Sequence, residues 1–181
     1  STSVGRKVAA AAAANLTPTT LELGGKSPCI LDASCRIEDA AAKIAHGKLL
    51  NAGQTCIAPD YLLLPRGREA AFVAAFMRAA QALFPRFDGN PDYAALVGDR
   101  YAARLDALVA DAQSQGARVH AVAMASTPSG TRQIVPRLVG ARALDAVPLG
   151  TTGALARWRL GDGSVLTLAV NLGAQPVSVP T

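Results

Sequence analysis

Residues 37–65 read IEDAAAKIAHGKLLNAGQTCIAPDYLLLP, and the fold turns on how this run divides. Ile37, Ala41, Ile44, Ala45 and Leu49 recur at helical spacing with the charged residues mostly on the opposite side, which predicts an amphipathic helix. NAGQTC then reads as a loop around Gly53, and YLLLP (61–65) as a short apolar strand. A helix handing over to a buried strand across a short loop is the repeating unit of an α/β sheet.

The flanking sequence extends that unit. STSVGRKVAAAAAAN (1–15) predicts a helix, because alanine is the best helix former and Ser or Thr can cap its start, and Pro18 ends it. TLELGG (20–25) predicts a short strand closing in two glycines, and PCILDAS (28–34) a second. REAAFVAAFMRAAQALF (68–84) and DRYAARLDALVADAQSQG (99–116) predict two more helices, the latter stopping at Gly116, and ARVHAVA (117–123) a further strand. Residues 20 to 123 therefore alternate as an α/β protein with a largely parallel sheet.

The texture changes at MASTPSGT (124–131), a small-residue linker. Beyond it, LARWRLGDG (155–163), VLTLAVNLG (165–173) and PVSVP (176–180) alternate apolar and polar residues around GDGS, which predicts a β-hairpin in a small antiparallel tail. Two parts are expected, residues 1–125 and 126–181.

Half of the 181 residues are hydrophobic and 17% are charged, a globular balance. The net charge of +5 comes from scattered arginines such as Arg132, Arg137, Arg142, Arg157 and Arg159, without a dense basic run, so no nucleic-acid partner is expected. No stretch approaches the ~18 consecutive apolar residues of a membrane span, so no membrane partner is expected either. Cys29, Cys35 and Cys56 form no even set or C-x-x-C pair, and His46 and His120 lie far apart, which argues against a metal site. Odd free thiols suit a reducing compartment, hence the cytoplasm.

Two residues carry chemical interest. A free cysteine commonly serves as a small buried side chain, and a lone glutamate as a solvated carboxylate. Brought together in an α/β crevice, however, the Cys56 thiolate can attack a carbonyl, and the Glu22 carboxylate can take a proton from the water that releases the acyl group.

Three stretches in order, STSVGR (1–6), LELGGKSPCIL (21–31) and NAGQTC (51–56), resemble the glycine, glutamate and cysteine motifs of the aldehyde dehydrogenases, most of all the coniferyl aldehyde dehydrogenase group. The resemblance covers about residues 1–125. It implies part of that family's catalytic-domain sheet with flanking helices, with Cys56 as nucleophile and Glu22 as general base. It also implies Ser1, Gly5, Leu23 and Gly24 as positions near an NAD or NADP cofactor, an aldehyde as substrate, and a homo-oligomer as a possible assembly. The expected reaction is oxidation of an aldehyde to a carboxylic acid through a Cys56 thioester.

The same resemblance leads one to expect most of the nucleotide-binding half ahead of Ser1, with the oxyanion-hole asparagine and the ribose-binding lysine. Downstream, the family's E-I-F-G-P motif does not occur. The chain, starting at Ser1 without methionine, is therefore expected to be a fragment impaired in cofactor binding. From TRQIVPRLVGA (131–141) through residue 180 the sequence resembles the C-terminal β-domain of malto-oligosyltrehalose trehalohydrolase, an accessory domain without catalytic carboxylates. A rival expectation follows, a non-catalytic accessory or interaction module with a vestigial cysteine.

Overall fold

The computed structural model describes residues 1–122 and 132–140, together with the backbone of strands at 145–149, 153–159 and 165–171. Two compact units divide the chain between Val139 and Gly140. The MASTPSGT linker, the GDGS turn and PVSVP lie outside the described residues.

In the first unit, helix α1 spans Thr2–Ala14 and buries only Gly5, as its alanine-rich sequence supplies helix propensity but little apolar bulk. Strand β1 (Ser27–Ile30) pairs in parallel with β2 (Pro59–Leu63), and helix α2 (Ile37–Leu49) lies between them in sequence, the α/β unit that the opening run predicts. Glu38 and Asp39 sit in the first turn of α2 and Lys48 in its last, each complementing the helix dipole.

Helix α3 (Glu69–Leu83) buries Phe72, Ala75, Phe76 and Ala80, one stripe at helical period, and packs against α2. The buried residues of α2 include Ala40, Ala41 and Ala45, small side chains that share one core cluster with the two phenyl rings. The core continues into Phe84, Phe87 and Tyr93. Phe87 is fully buried, with its ring centroid 5.7 Å from that of Phe84 and 4.8 Å from that of Tyr93, the latter edge-on. Helix α4 (Asp99–Ser114) buries none of its residues and is followed by Gly116, at φ +85°, and by β3 (Arg118–Ala121). Strand β4 (Arg137–Gly140) pairs with β3.

The expected strand at TLELGG does not form. Residues 17–26 lie outside any strand, because among the described residues no neighbouring strand offers them a ladder of hydrogen bonds. Glu22 therefore stands on irregular backbone.

In the second unit, β5 (Asp145–Leu149), β6 (Gly153–Arg159) and β7 (Val165–Asn171) form an antiparallel sheet in that order. β6 and β7 pair from Gly153 opposite Asn171 to Arg159 opposite Val165, the hairpin expected from the alternation. β5 is an addition to the expected tail. Its Pro148 masks it as a strand in the sequence, and its place at the sheet edge is where a proline is tolerated.

Candidate active site

Cys56 lies in the connection from α2 to β2. Leu50–Gly53 form a short 3-10 turn, then Thr55–Ala58 close a second turn through a hydrogen bond from the Ala58 N–H to the Thr55 carbonyl. Asn51, Ala52 and Gly53 have φ of 51°, 53° and 76°, three consecutive residues in the left-handed region. For Ala52 that conformation costs on the order of 1 kcal/mol, so contacts elsewhere must hold it.

Those contacts centre on Gln54. Its Nε2 donates to the Asn51 carbonyl at 3.0 Å and to the Ala95 carbonyl at 3.1 Å, while its Oε1 accepts from the Val97 N–H at 3.0 Å. The segment so gripped is itself anchored. The Tyr93 hydroxyl donates to the Ile134 carbonyl, and the Gln133 amide donates to the carbonyls of Asn90 and Tyr93.

A second tether comes from β1. The Ser27 hydroxyl donates to the Cys56 carbonyl at 3.3 Å, and Lys26 pairs with Asp60 at 3.2 Å. Lys48 reaches the same carboxylate at 3.1 Å. Burial raises the Asp60 pKa, but the hydrogen bonds and charges of Lys48 and Lys26 outweigh it and hold the carboxyl below its ordinary value. The first tie binds the end of the LELGGKS stretch to the cysteine turn, and the second binds it to β2, the strand that follows.

Cys56 itself is exposed, whereas Cys29 and Cys35 are half-buried. Burial, with a smaller contribution from Cys35, pushes the Cys29 thiol up. The Cys56 N–H meets no acceptor among the described residues, leaving a donor free beside the thiol. Glu22 is exposed and makes no hydrogen bond or ion pair among the described residues. No hydrogen bond or ion pair joins it to Cys56; Ser27 and Lys26, a few residues on, bond to the cysteine turn and to the strand after it.

The four positions near the expected cofactor fall together in part. A Cβ on Gly5 would lie 2.6 Å from Cδ2 of Leu23, so the absence of a side chain lets Leu23 seat on α1. Gly24, at φ +82°, has open space where a side chain would point. The Ser1 hydroxyl pairs with that of Ser3 at 3.1 Å and caps no backbone N–H, and the first turn of α1 holds no acidic residue. Among the described residues no cluster of three or more His, Cys, Asp or Glu could hold a metal, and no helix is long and apolar enough to cross a membrane.

Two grooves in the first unit lie elsewhere. One of about 250 Å³ is lined by Glu69, Ala70, Val73, Ala74, Arg118 and His120, and another of about 410 Å³ includes Cys29, Cys35, Arg36 and Lys43. Neither includes Cys56 or Glu22.

Sequence reading singled out Cys56 but missed Gln54, Ser27 and Asp60. Two of the three partners of the Gln54 carboxamide, Ala95 and Val97, stand more than forty residues on, so no local pattern marks its role.

Comparisons with known proteins bear on both units. The profile of the aldehyde dehydrogenase family matches residues 1–134, and that of a domain of unknown function (DUF3459) matches residues 141–181. A probable coniferyl aldehyde dehydrogenase of Pseudomonas aeruginosa is 53% identical over 116 residues, covering 64% of this chain and 24% of that protein. The coniferyl aldehyde dehydrogenase of a Pseudomonas species is 43% identical over 141 residues, 76% of this chain and 29% of that protein. Among solved structures, a lactaldehyde dehydrogenase matches 77% of this chain and 30% of its own length, with a TM-score of 0.63 and 32% identity. An aldehyde dehydrogenase of Mycobacterium tuberculosis complexed with NAD+ matches 77% and 29%, with a TM-score of 0.61 and 31% identity. The chain spans about a quarter of the length of the curated relatives it matches. With its motifs in order and its first unit matched nearly throughout, the chain belongs to the aldehyde dehydrogenase family.

Proposed function

We propose that residues 1–125 carry the covalent part of an aldehyde oxidation, with Cys56 as nucleophile and Glu22 as general base, and that residues 126–181 form an accessory β segment. The observation that carries this reading is the pair of ties, Ser27 to the Cys56 carbonyl and Lys26 to Asp60, which fasten the glutamate-bearing stretch to the cysteine turn and to the strand after it. The Cys56 thiolate adds to the aldehyde carbonyl, forming a C–S bond and an oxyanion that the free Cys56 N–H can receive. The first turn of α1 and the Leu23–Gly24 stretch would hold NAD or NADP, which would supply the hydride acceptor when bound. Glu22 then takes a proton from the water that attacks the thioester, and the acid leaves as the thiolate is restored.

An aldehyde is the substrate class, by way of relatives whose names specify coniferyl aldehyde. Three free thiols suit the cytoplasm, and exposed Val4, Val8, Leu105 and Leu108 are compatible with a homo-oligomer.

A non-catalytic interaction module is the second reading, favoured by the position of both grooves away from Cys56. Mass spectrometry after exposure to p-nitrophenyl acetate separates the two. The first reading expects one acyl group on Cys56, none in Cys56→Ser, and slower loss of the acyl group in Glu22→Gln. Acylation indifferent to Cys56 would leave the second reading standing.

A further inference from the structure

We infer that Gln54 is a positioning residue for the nucleophile, an inference that rests on the proposed role of Cys56. Three observations converge on it. The carboxamide of Gln54 uses both its donor and its acceptor side, bridging the Asn51 carbonyl, the Ala95 carbonyl and the Val97 N–H at 3.0–3.1 Å. It does so two residues before Cys56, at the exit of a run in which Asn51, Ala52 and Gly53 are all left-handed. The segment it grips is fixed at Tyr93, whose ring packs on the fully buried Phe87. Rigidity thus passes from the aromatic core through Tyr93 and Val97 to Gln54 and the cysteine turn, while Ser27 holds the far side through the Cys56 carbonyl.

The exposure of Cys56 makes such a brace necessary. No wall of side chains confines the turn, and Ile57 beside it is 81% exposed. Without the carboxamide, the turn loses three hydrogen bonds, one to the left-handed run and two to the 95–97 segment, and the thiol samples directions unsuited to attack on a carbonyl. Attack requires alignment of the sulfur, the carbonyl carbon and the N–H that receives the oxyanion, and misplacement by about 1 Å can cost ~100-fold in rate. Simple alkylation requires no oxyanion donor and tolerates far more disorder.

That contrast supplies the test. With p-nitrophenyl acetate, the Cys56 sulfur forms a bond to the acetyl carbon, the C–O bond breaks, p-nitrophenolate leaves with the electron pair, and the thiol proton passes to water. Release of p-nitrophenolate is measured for the full chain, Cys56→Ser, Gln54→Ala and Gln54→Glu, alongside Cys56 alkylation by iodoacetamide. Gln54→Ala should slow acylation at least roughly tenfold while alkylation changes by less than about twofold. Gln54→Glu keeps an acceptor for Val97 but loses both donors, and should fall between. Low labelling of Cys29, as in the parent chain, reports that each variant is folded.

Equal slowing of both reactions in a folded variant, or unchanged acylation in Gln54→Ala, would overturn the positioning role and leave Cys56 as nucleophile. Equal p-nitrophenolate release from the parent chain and Cys56→Ser would overturn both readings together.

Discussion

Replacing Phe87 with alanine removes the one large side chain that is fully buried among the described residues. Its ring meets Phe84 at 5.7 Å between centroids and Tyr93 at 4.8 Å, with the Tyr93 pair at 83°, close to perpendicular. A buried Phe→Ala change costs about 3–5 kcal/mol from lost transfer energy and the cavity left behind. Loss of two ring contacts places this site toward the upper half, about 4 kcal/mol. That is a large share of the ~5–15 kcal/mol that holds a domain together. With a urea dependence of about 2 kcal/mol per molar, the unfolding midpoint should fall by roughly 2 M, read by far-UV circular dichroism. Phe87→Leu fills much of the cavity and should cost roughly 1–2 kcal/mol, which keeps the measurement possible should the alanine variant not fold. Phe72→Ala, also buried but located on α3 and paired with Phe76, is the control. Both alanine variants destabilise, but only Phe87→Ala should loosen the Tyr93 segment locally, seen as faster hydrogen exchange at the Val97 amide relative to the global loss. A midpoint shift under about 0.5 M, or equal local exchange in the two variants, would refute the reasoning.

Two further outcomes are expected. Brief iodoacetamide treatment followed by peptide mapping should modify exposed Cys56 ahead of Cys29, whose thiol is pushed up by burial, and preferential labelling of Cys29 or Cys35 would contradict the placement of the turn. The Asp60 carboxyl is held below its ordinary value of 3.8, so its pairing contributes fully above that value and is lost as pH falls through the lower folded-state value. Asp60→Asn should therefore lower Tm at neutral pH, by the equivalent of about 1 kcal/mol or less given the exposure of Lys26, with the difference shrinking below pH 3.8. A difference that persists undiminished in acid would remove the lysine pairing as its cause.

The elements with a strong local pattern were legible in the sequence. The apolar stripe from Ile37 to Leu49 and that from Phe72 to Ala80 gave α2 and α3, and the alternation around residues 155–171 gave the pairing of β6 with β7. Failures occurred where the deciding partner is remote. TLELGG has strand-like residues, but a strand exists only with a neighbour to pair with. Asp145–Leu149 contains a proline that local reading counts against a strand, and the antiparallel register with Gly153–Arg157 makes it one. At the candidate site Cys56 could be singled out from NAGQTC, but the contact between Gly5 and Leu23 depends on how α1 docks. The role of Gln54 depends on where residues 95 and 97 come to rest.

That last dependence has a consequence for the order of events during synthesis. Gln54 leaves the ribosome 43 residues ahead of Val97, its farther partner. At translation rates of about 5–20 residues per second, the cysteine therefore waits roughly 2–9 s before the chain that completes its brace has been made. Through that interval the nascent thiol stands on a turn with only its local hydrogen bonds and its Ser27 tether. A reducing environment would keep the thiol unoxidised through that interval, and the finished fold, which leaves Cys56 exposed, adds direction to the sulfur and not cover.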